Sequence, residues 1–321
     1  SGKLIVIRDP QTGQAFPNNI IPTNRIDPNG QKLLSIFPLP NYNDPTYNYN
    51  NVFQSTVNQP RREEILRVDW NISKQTTFYA RGIHNNEQYK GDFNFVLASN
   101  VWPQFPIKYQ IKSEGFVSTL LHTFDPTLIN EFTFGVNRAL QTVEPLNQAG
   151  IDKNDRTKVG LTLPQFYPSI NPLNLVPNAT FGGIANAPQF NIEQRFPFFG
   201  TNNIWNISDN LSKIMGGHNL KAGFYLEYTT RNAARASAFN GTFSFDRNAN
   251  NPLDANNAFA NALLGVVNSY TEANGKLNGH ARYKNVEWFL QDNWKATKRL
   301  DRKSTRLNSS HSSVSRMPSS A

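Results

Sequence analysis

The run IWNISDNLSKIMGGHNLKAGFYLEYTTR, residues 204–231, decides the fold class. In its second half Leu220, Ala222, Phe224, Leu226 and Tyr228 are apolar, while Lys221, Gly223, Glu227 and Thr229 between them are polar or small. Tyr225 alone breaks this alternation. The first half alternates more loosely, with Trp205, Ile207 and Leu211 set between Asn206, Ser208, Asn210 and Ser212. A period of two puts each set on its own face of a strand. Gly216 and Gly217 at the centre supply the positive φ of a short hairpin turn. Each arm runs for about ten residues or more, beyond the usual five or six of a soluble strand. Long two-faced strands suit a wall with lipid on one side and water on the other.

Composition bounds this reading. The chain has 321 residues, long enough for a sizeable core. Hydrophobic residues make up only 38%, and no stretch of about eighteen apolar residues exists to form a membrane-crossing helix. Abundant asparagine and 12% aromatics favour strands joined by wet turns. Without cysteine there is neither a disulfide scaffold nor a thiol nucleophile.

Working outward, a strand from about Glu63 to Ile72 and another over 76–84 alternate about a turn at 73–75. Residues 109–124 and 131–137 do so about Asp125-Pro126-Thr127, and the last clear strand spans 283–297. Two weaker strands, at 239–245 and 267–273, bring the total to about eight. Residues 254–266 offer one amphipathic helix, packed against a wall. Short turns alternate with long connections, and residues 144–200 carry seven prolines and no strand pattern. In a membrane barrel such segments are the extracellular loops. Residues 1–60, rich in proline, read as a loop or linker, with Asp27-Pro28-Asn29-Gly30 as a turn and a helical turn or two over 31–37. The first residues show no export signal.

Residues 301–321 hold eight serines and no alternation, and resemble translated sequencing-adapter sequence; they are expected to be a disordered tail foreign to the rest. They carry four of the basic residues and one acidic residue, so the net charge of +9 falls to +6 without them. Nucleic acid is therefore not an expected partner.

Nothing points to an enzyme, and no catalytic, cofactor or metal site is expected. His84, His122, His218, His280 and His311 lack metal-ligand spacing. The paired glycines lack the setting of a phosphate loop, and no Gly-x-Ser-x-Gly occurs. The aromatics fit either a hydrophobic core or girdles at the membrane interfaces.

Several segments resemble, in order, motifs of the Oar-like TonB-dependent receptors of the outer membrane. They are FPNNIIP at 16–22, RIDP at 25–28, PLPN at 38–41, RVDWN at 67–71, HTFDPTLINEF at 122–132, GHNLKAG at 217–223 and FLQDNWK at 289–295. The resemblance covers about residues 13–300, and order and spacing make it more specific than any single motif. It implies a partial transmembrane antiparallel β-barrel over 61–300, about eight strands of roughly 22, with long extracellular loops. The plug, the preceding sandwich domain and the TonB-contacting segment of that family are expected to lie outside this stretch of the parent protein. A fragment of this kind is expected neither to fold stably nor to transport on its own.

The implied role is uptake of an extracellular solute across the outer membrane of a Gram-negative bacterium, powered through the TonB complex. Glu131, Asn137, Lys221, Glu227 and Asp292 are then expected to face the lumen. Phe132, Phe134, Phe224, Leu226, Tyr228 and Trp288 are expected to face outer-membrane lipid or its girdles. The ligand stays open. A secreted all-β binding module for glycan or protein is the other reading of the same alternation, with its core between two packed sheets.

Overall fold

The computed structural model describes residues 4–46, 49–54, 56, 58–91, 104–297 and 300–309. Its strands are β1 (Arg61–Asn71), β2 (Thr76–Gly91), β3 (Ile107–Asp125), β4 (Leu128–Pro145), the short β5 (Asn178–Thr180), β6 (Phe198–Met215), β7 (His218–Ala234), the short β8 (Thr242–Ser244) and β9 (Ser269–Thr271), β10 (Asn278–Thr297) and β11 (Leu300–Ser309). Eight of them form one open sheet in the order β1-β2-β3-β4-β6-β7-β10-β11, every neighbour antiparallel. This is an up-and-down wall, part of a barrel that does not close on itself, with β1 and β11 as its two edges.

The weak strands at 239–245 and 267–273 do not join the wall. Within them, β8 and β9 form a separate three-stranded sheet with β5. The wall strands are in turn longer than their alternation. β2 continues through residues 85–91 and β4 through 138–145. There one face packs on the long connections, so the simple apolar-polar pattern is lost.

Those connections fold into a body with its own core, and residues 1–60 contribute to it rather than linking. Phe16, Leu33, Leu175, Val176, Phe181, Phe190, Phe196 and Phe239 are buried. Four short helices belong to this body: α1 (Pro28–Leu34), α2 (Gln148–Lys153), α3 (Arg156–Val159) and α4 (Ala258–Leu263). Asp27 and Pro28 begin α1 rather than a turn, since the Asp27 carboxylate accepts the Gly30 amide at 2.7 Å and Pro28 takes the first helical position. Gly30 lies so close to Ala262 that a Cβ would stand 1.9 Å from that carbonyl oxygen. The helix expected over 254–266 is shorter, held at its start by the Asn257 side chain. Near the chain start, Arg25 pairs with Asp9 at 2.6 Å and draws that carboxyl down to about 2.

The expected disorder of 301–321 is corrected over its first part. Residues 300–309 form β11, which pairs along β10 from Thr297↔Leu300 to Glu287↔Ser309. Backbone ladders need no side-chain pattern. Opposite Leu290 and Trp294, however, β11 offers Arg306 and Arg302, so it extends the sheet without extending its apolar face. Residues 310–321 lie outside the described residues.

Candidate functional site: a two-faced wall and its loop body

Residues directly opposite one another in an antiparallel ladder project to the same side. The register therefore sorts every strand of the wall. Phe134, Ile207, Leu226 and Val286 form one row across β4, β6, β7 and β10. Phe132, Asp209, Phe224 and Trp288 form the next, and Val136, Trp205 and Tyr228 the one on the other side. The rows continue into Trp70, Phe78 and Leu120 on β1 to β3. The Trp205 and Tyr228 rings stack at 5.7 Å. All of Phe132, Phe134, Phe224, Leu226, Tyr228 and Trp288 thus share one apolar face, and their side chains are partly open to the surroundings.

The apolar band has an edge. One row beyond Tyr228 the same face reads Glu64, His84, Glu114, Arg138, Asn203, Thr230 and Arg282 across seven strands. From Leu220 to Tyr228 the band runs roughly 27 Å along the strand at ~3.4 Å per residue. With strands tilted by about 40°, that is roughly 21 Å of height, close to the ~25 Å band of outer-membrane barrels. Among the band's polar exceptions, Asp209 accepts the Asn130 amide at 2.7 Å.

Glu131, Asn137, Lys221 and Glu227 lie on the opposite, polar face, with Ser208, Asn210 and Thr133. Tyr225, the exception in the alternation, is on this face and donates its hydroxyl to Glu227 at 2.6 Å. Its ring has a polar partner where the pattern put a polar residue. Asn137 lines a shallow hollow of about 280 Å³ with Glu87, Asn85 and Ser113. There Glu87 accepts from Arg61 at 2.6 Å and Gln59 at 2.9 Å.

Asp292 is not with this group. It pairs with Leu220 and stands two and four residues from Leu290 and Trp288, which places it on the apolar face at the turn end. The period of two allows nothing else. Its carboxylate meets His218 Nδ1 at 2.8 Å, and the His218 ring stacks on Trp294 at 5.5 Å.

The polar face is also the one the loop body covers. Ile107, Tyr109, Val143, Phe198 and Ala233, all on that face at the ends remote from the short turns, belong to the same buried cluster as Phe105, Leu175, Phe181 and Phe190. On the other side Phe199 is 42% exposed. The loop body is stitched by asparagine amides that stand in for missing backbone partners. Asn178 donates to Ile192 O at 2.9 Å and accepts from Ile192 N at 2.7 Å. Asn171 treats Leu175 the same way, at 2.9 and 3.0 Å. Asn154, Asn240 and Asn261 are buried in the same role. Glu272 accepts the amides of Phe166 and Tyr167 at 3.1 and 2.6 Å, and Lys276 sits 4.6 Å from the Phe239 ring, its pKa lowered by burial.

A cleft of about 650 Å³ opens in this body between residues 37–53 and 184–188. Tyr42 and Tyr49, stacked at 5.3 Å, stand in it. The sequence reading passed over these residues; the signal was the Asn-Tyr run NYNDPTYNYNN at 41–51, which resembles any proline-punctuated loop. Among the described residues no cluster of three or more His, Asp and Glu could hold a metal ion.

The sequence profile of the outer membrane beta barrel domain matches residues 1–301. The chain belongs to the outer membrane beta barrel domain family. Its place is the outer membrane, and its open eight-stranded wall is part of such a barrel. No curated protein matches the sequence. Among solved structures, the chain is similar to the outer membrane transporter YddB from Escherichia coli, at 12% identity and a TM-score of 0.36. That match covers 77% of this chain and 26% of YddB, so the chain spans about a quarter of that transporter's length.

Proposed function

We propose that this chain is the wall and loop portion of a TonB-dependent receptor of the Oar-like type, which binds an extracellular solute and imports it. In this reading the barrel has roughly 22 strands. The plug and the segment that contacts the TonB complex belong to the rest of the parent protein, and energy comes from the inner-membrane proton gradient. The observation that carries the reading is the division of the wall: an apolar band on one face, and a polar opposite face roofed by a folded loop body. Phe132, Phe134, Phe224, Leu226, Tyr228 and Trp288 then meet lipid or its headgroup boundary. Glu131, Asn137, Lys221 and Glu227 line water. A sheet whose polar face is roofed and whose apolar face is left open is the reverse of a sandwich, where apolar faces are buried against each other.

The test compares neighbouring positions in the full-length protein. Leu226→Arg puts a charge into the band at a cost of roughly 2 to 4 kcal/mol near the midplane. Glu227→Arg changes charge on the wet side only. Leu226→Arg is expected to remove the protein from the outer-membrane fraction, while Glu227→Arg leaves its amount and heat-modifiable migration unchanged. Equal tolerance of the two would defeat the assignment. For uptake, loss of the TonB complex should stop solute entry and leave surface binding intact.

A further inference from the structure

The cleft between residues 37–53 and 184–188 is built to hold its shape. Phe37 forms part of its floor and stacks on Phe190 at 4.1 Å, with Phe259 edge-on at 6.2 Å, so the floor belongs to the loop-body core. One wall is pinned by Asn41, which donates to Val52 O at 2.7 Å and accepts Val52 N at 2.8 Å. Asn51 adds a bond to Leu39 O at 2.9 Å. Against this fixed frame Tyr42 and Tyr49 lie nearly parallel, 10° apart, and are 47% and 51% exposed. Asn43, Asn50 and Asn186 add amides to the lining, and among the described residues that line it Asp44 is the one carboxylate and there is no lysine or arginine. At about 650 Å³ the cleft falls within the ~300–1,000 Å³ usual for small-molecule sites.

The geometry points to a short neutral oligosaccharide as the occupant. A flat, exposed tyrosine pair offers the electron-rich ring face that the C–H side of a sugar ring matches, and it does so with little side-chain entropy to lose. Primary amides both donate and accept, as hydroxyl groups do, so a rim of asparagines answers a polyol whichever way its hydroxyls turn. A phosphate or carboxylate would instead face Asp44 with no lining cation to offset its desolvation. This inference deepens the proposed uptake role by naming the class of solute. It depends on that role only for the claim that the bound sugar is cargo.

The experiment titrates the full-length protein in detergent with cello-, xylo- and manno-oligosaccharides by calorimetry. At least one should bind, Tyr49→Ala should weaken it about tenfold, and Tyr49→Phe should preserve it. Both variants change an exposed side chain, and heat-modifiable migration verifies that they fold. Absence of binding by all three series overturns the inference. So does tighter binding of sugar phosphates, tighter binding of a proline-rich peptide, or an affinity indifferent to Tyr49→Ala. The two roles separate cleanly in cells. Sugar binding without TonB-dependent entry removes the uptake role and leaves the cleft, whereas entry of a solute unaffected by Tyr49→Ala does the opposite.

Discussion

At the scale of single residues, asparagine does two jobs that composition alone does not distinguish. Exposed in turns it is the expected loop former; buried, it is a replacement peptide group. Asn178 makes both bonds of an absent ladder partner to Ile192 while only 3% exposed. Removing it leaves a buried donor and a buried acceptor without partners, at roughly 1 to 3 kcal/mol for each such loss. Asn178→Ala is therefore expected to lower the urea concentration at which protease cuts within residues 181–192, without changing insertion of the wall. Asn43 in the cleft, replaced by alanine, should leave that midpoint in place. The sequence displayed the number of asparagines but not their burial, because burial depends on segments brought together by the fold, as where Asn240 meets Val176 and Asn178. Asp292 shows the opposite case. Its face was already determined by Trp288 and Leu290, and the charge drew it to the wrong side of an otherwise readable pattern.

At the scale of elements, strands of the band were legible, and above them little more than the helices within 254–266 and 31–37 was. Leu220 to Tyr228 alternate because lipid-facing and wet positions differ in solvent at every step. Past Thr230 both faces carry polar or packed residues, and the period disappears although β7 continues to Ala234. A crossing needs about 9–11 residues. β3, β6 and β10, with 19, 18 and 20, project well beyond it, and the loop body leans on that projection. Helix α1 was expected only from residue 31, and its start was hidden for a different reason: Asp-Pro-Asn-Gly is turn chemistry by composition, and here Asp27 and Pro28 instead start the helix. Its seat against α4 depends on Gly30, whose missing side chain admits the Ala262 carbonyl. Gly30→Val must push the helices apart. It should cost about 1 to 3 kcal/mol or more in loop-body stability, seen as early proteolysis within residues 28–46, while Gly275→Ala, in open space and at an ordinary φ, leaves that digestion unchanged.

For the whole molecule, the tryptophans give the most direct check. Trp70, Trp205, Trp288 and Trp294 all project from the apolar face, two of them in the row of Phe132 and Phe224. In liposomes of brominated lipid the full-length protein should lose most of the fluorescence contributed by these four, and Trp288→Phe should reduce the quenched fraction. Fluorescence unaffected by bromine would mean that the apolar face is covered by protein. Seven of the wall's eight strands and its outer-membrane home were readable from alternation, turn spacing and motif order; β11 was not, because residues 301–309 carry no alternation. The loop body was not, since no periodicity marks a core assembled from Leu33, Phe105, Phe181 and Phe239, contributed by four separate stretches of chain.

That body is closed by its most distant partners. Arg8 donates its amide to Ala255 O at 3.0 Å, Asp27 donates to Leu263 O at 2.9 Å, and Thr162 reaches Asn29 at 2.8 Å. Biogenesis inherits a schedule from this arrangement. Arg8 and Asp27 lack their partners at Ala255 and Leu263 until about two hundred and forty further residues have been delivered, a separation that makes closure slow and late. During that interval the segment around Arg8 and Asp27 stays open, and protease added during assembly is expected to cut there while the inserted staves already resist it.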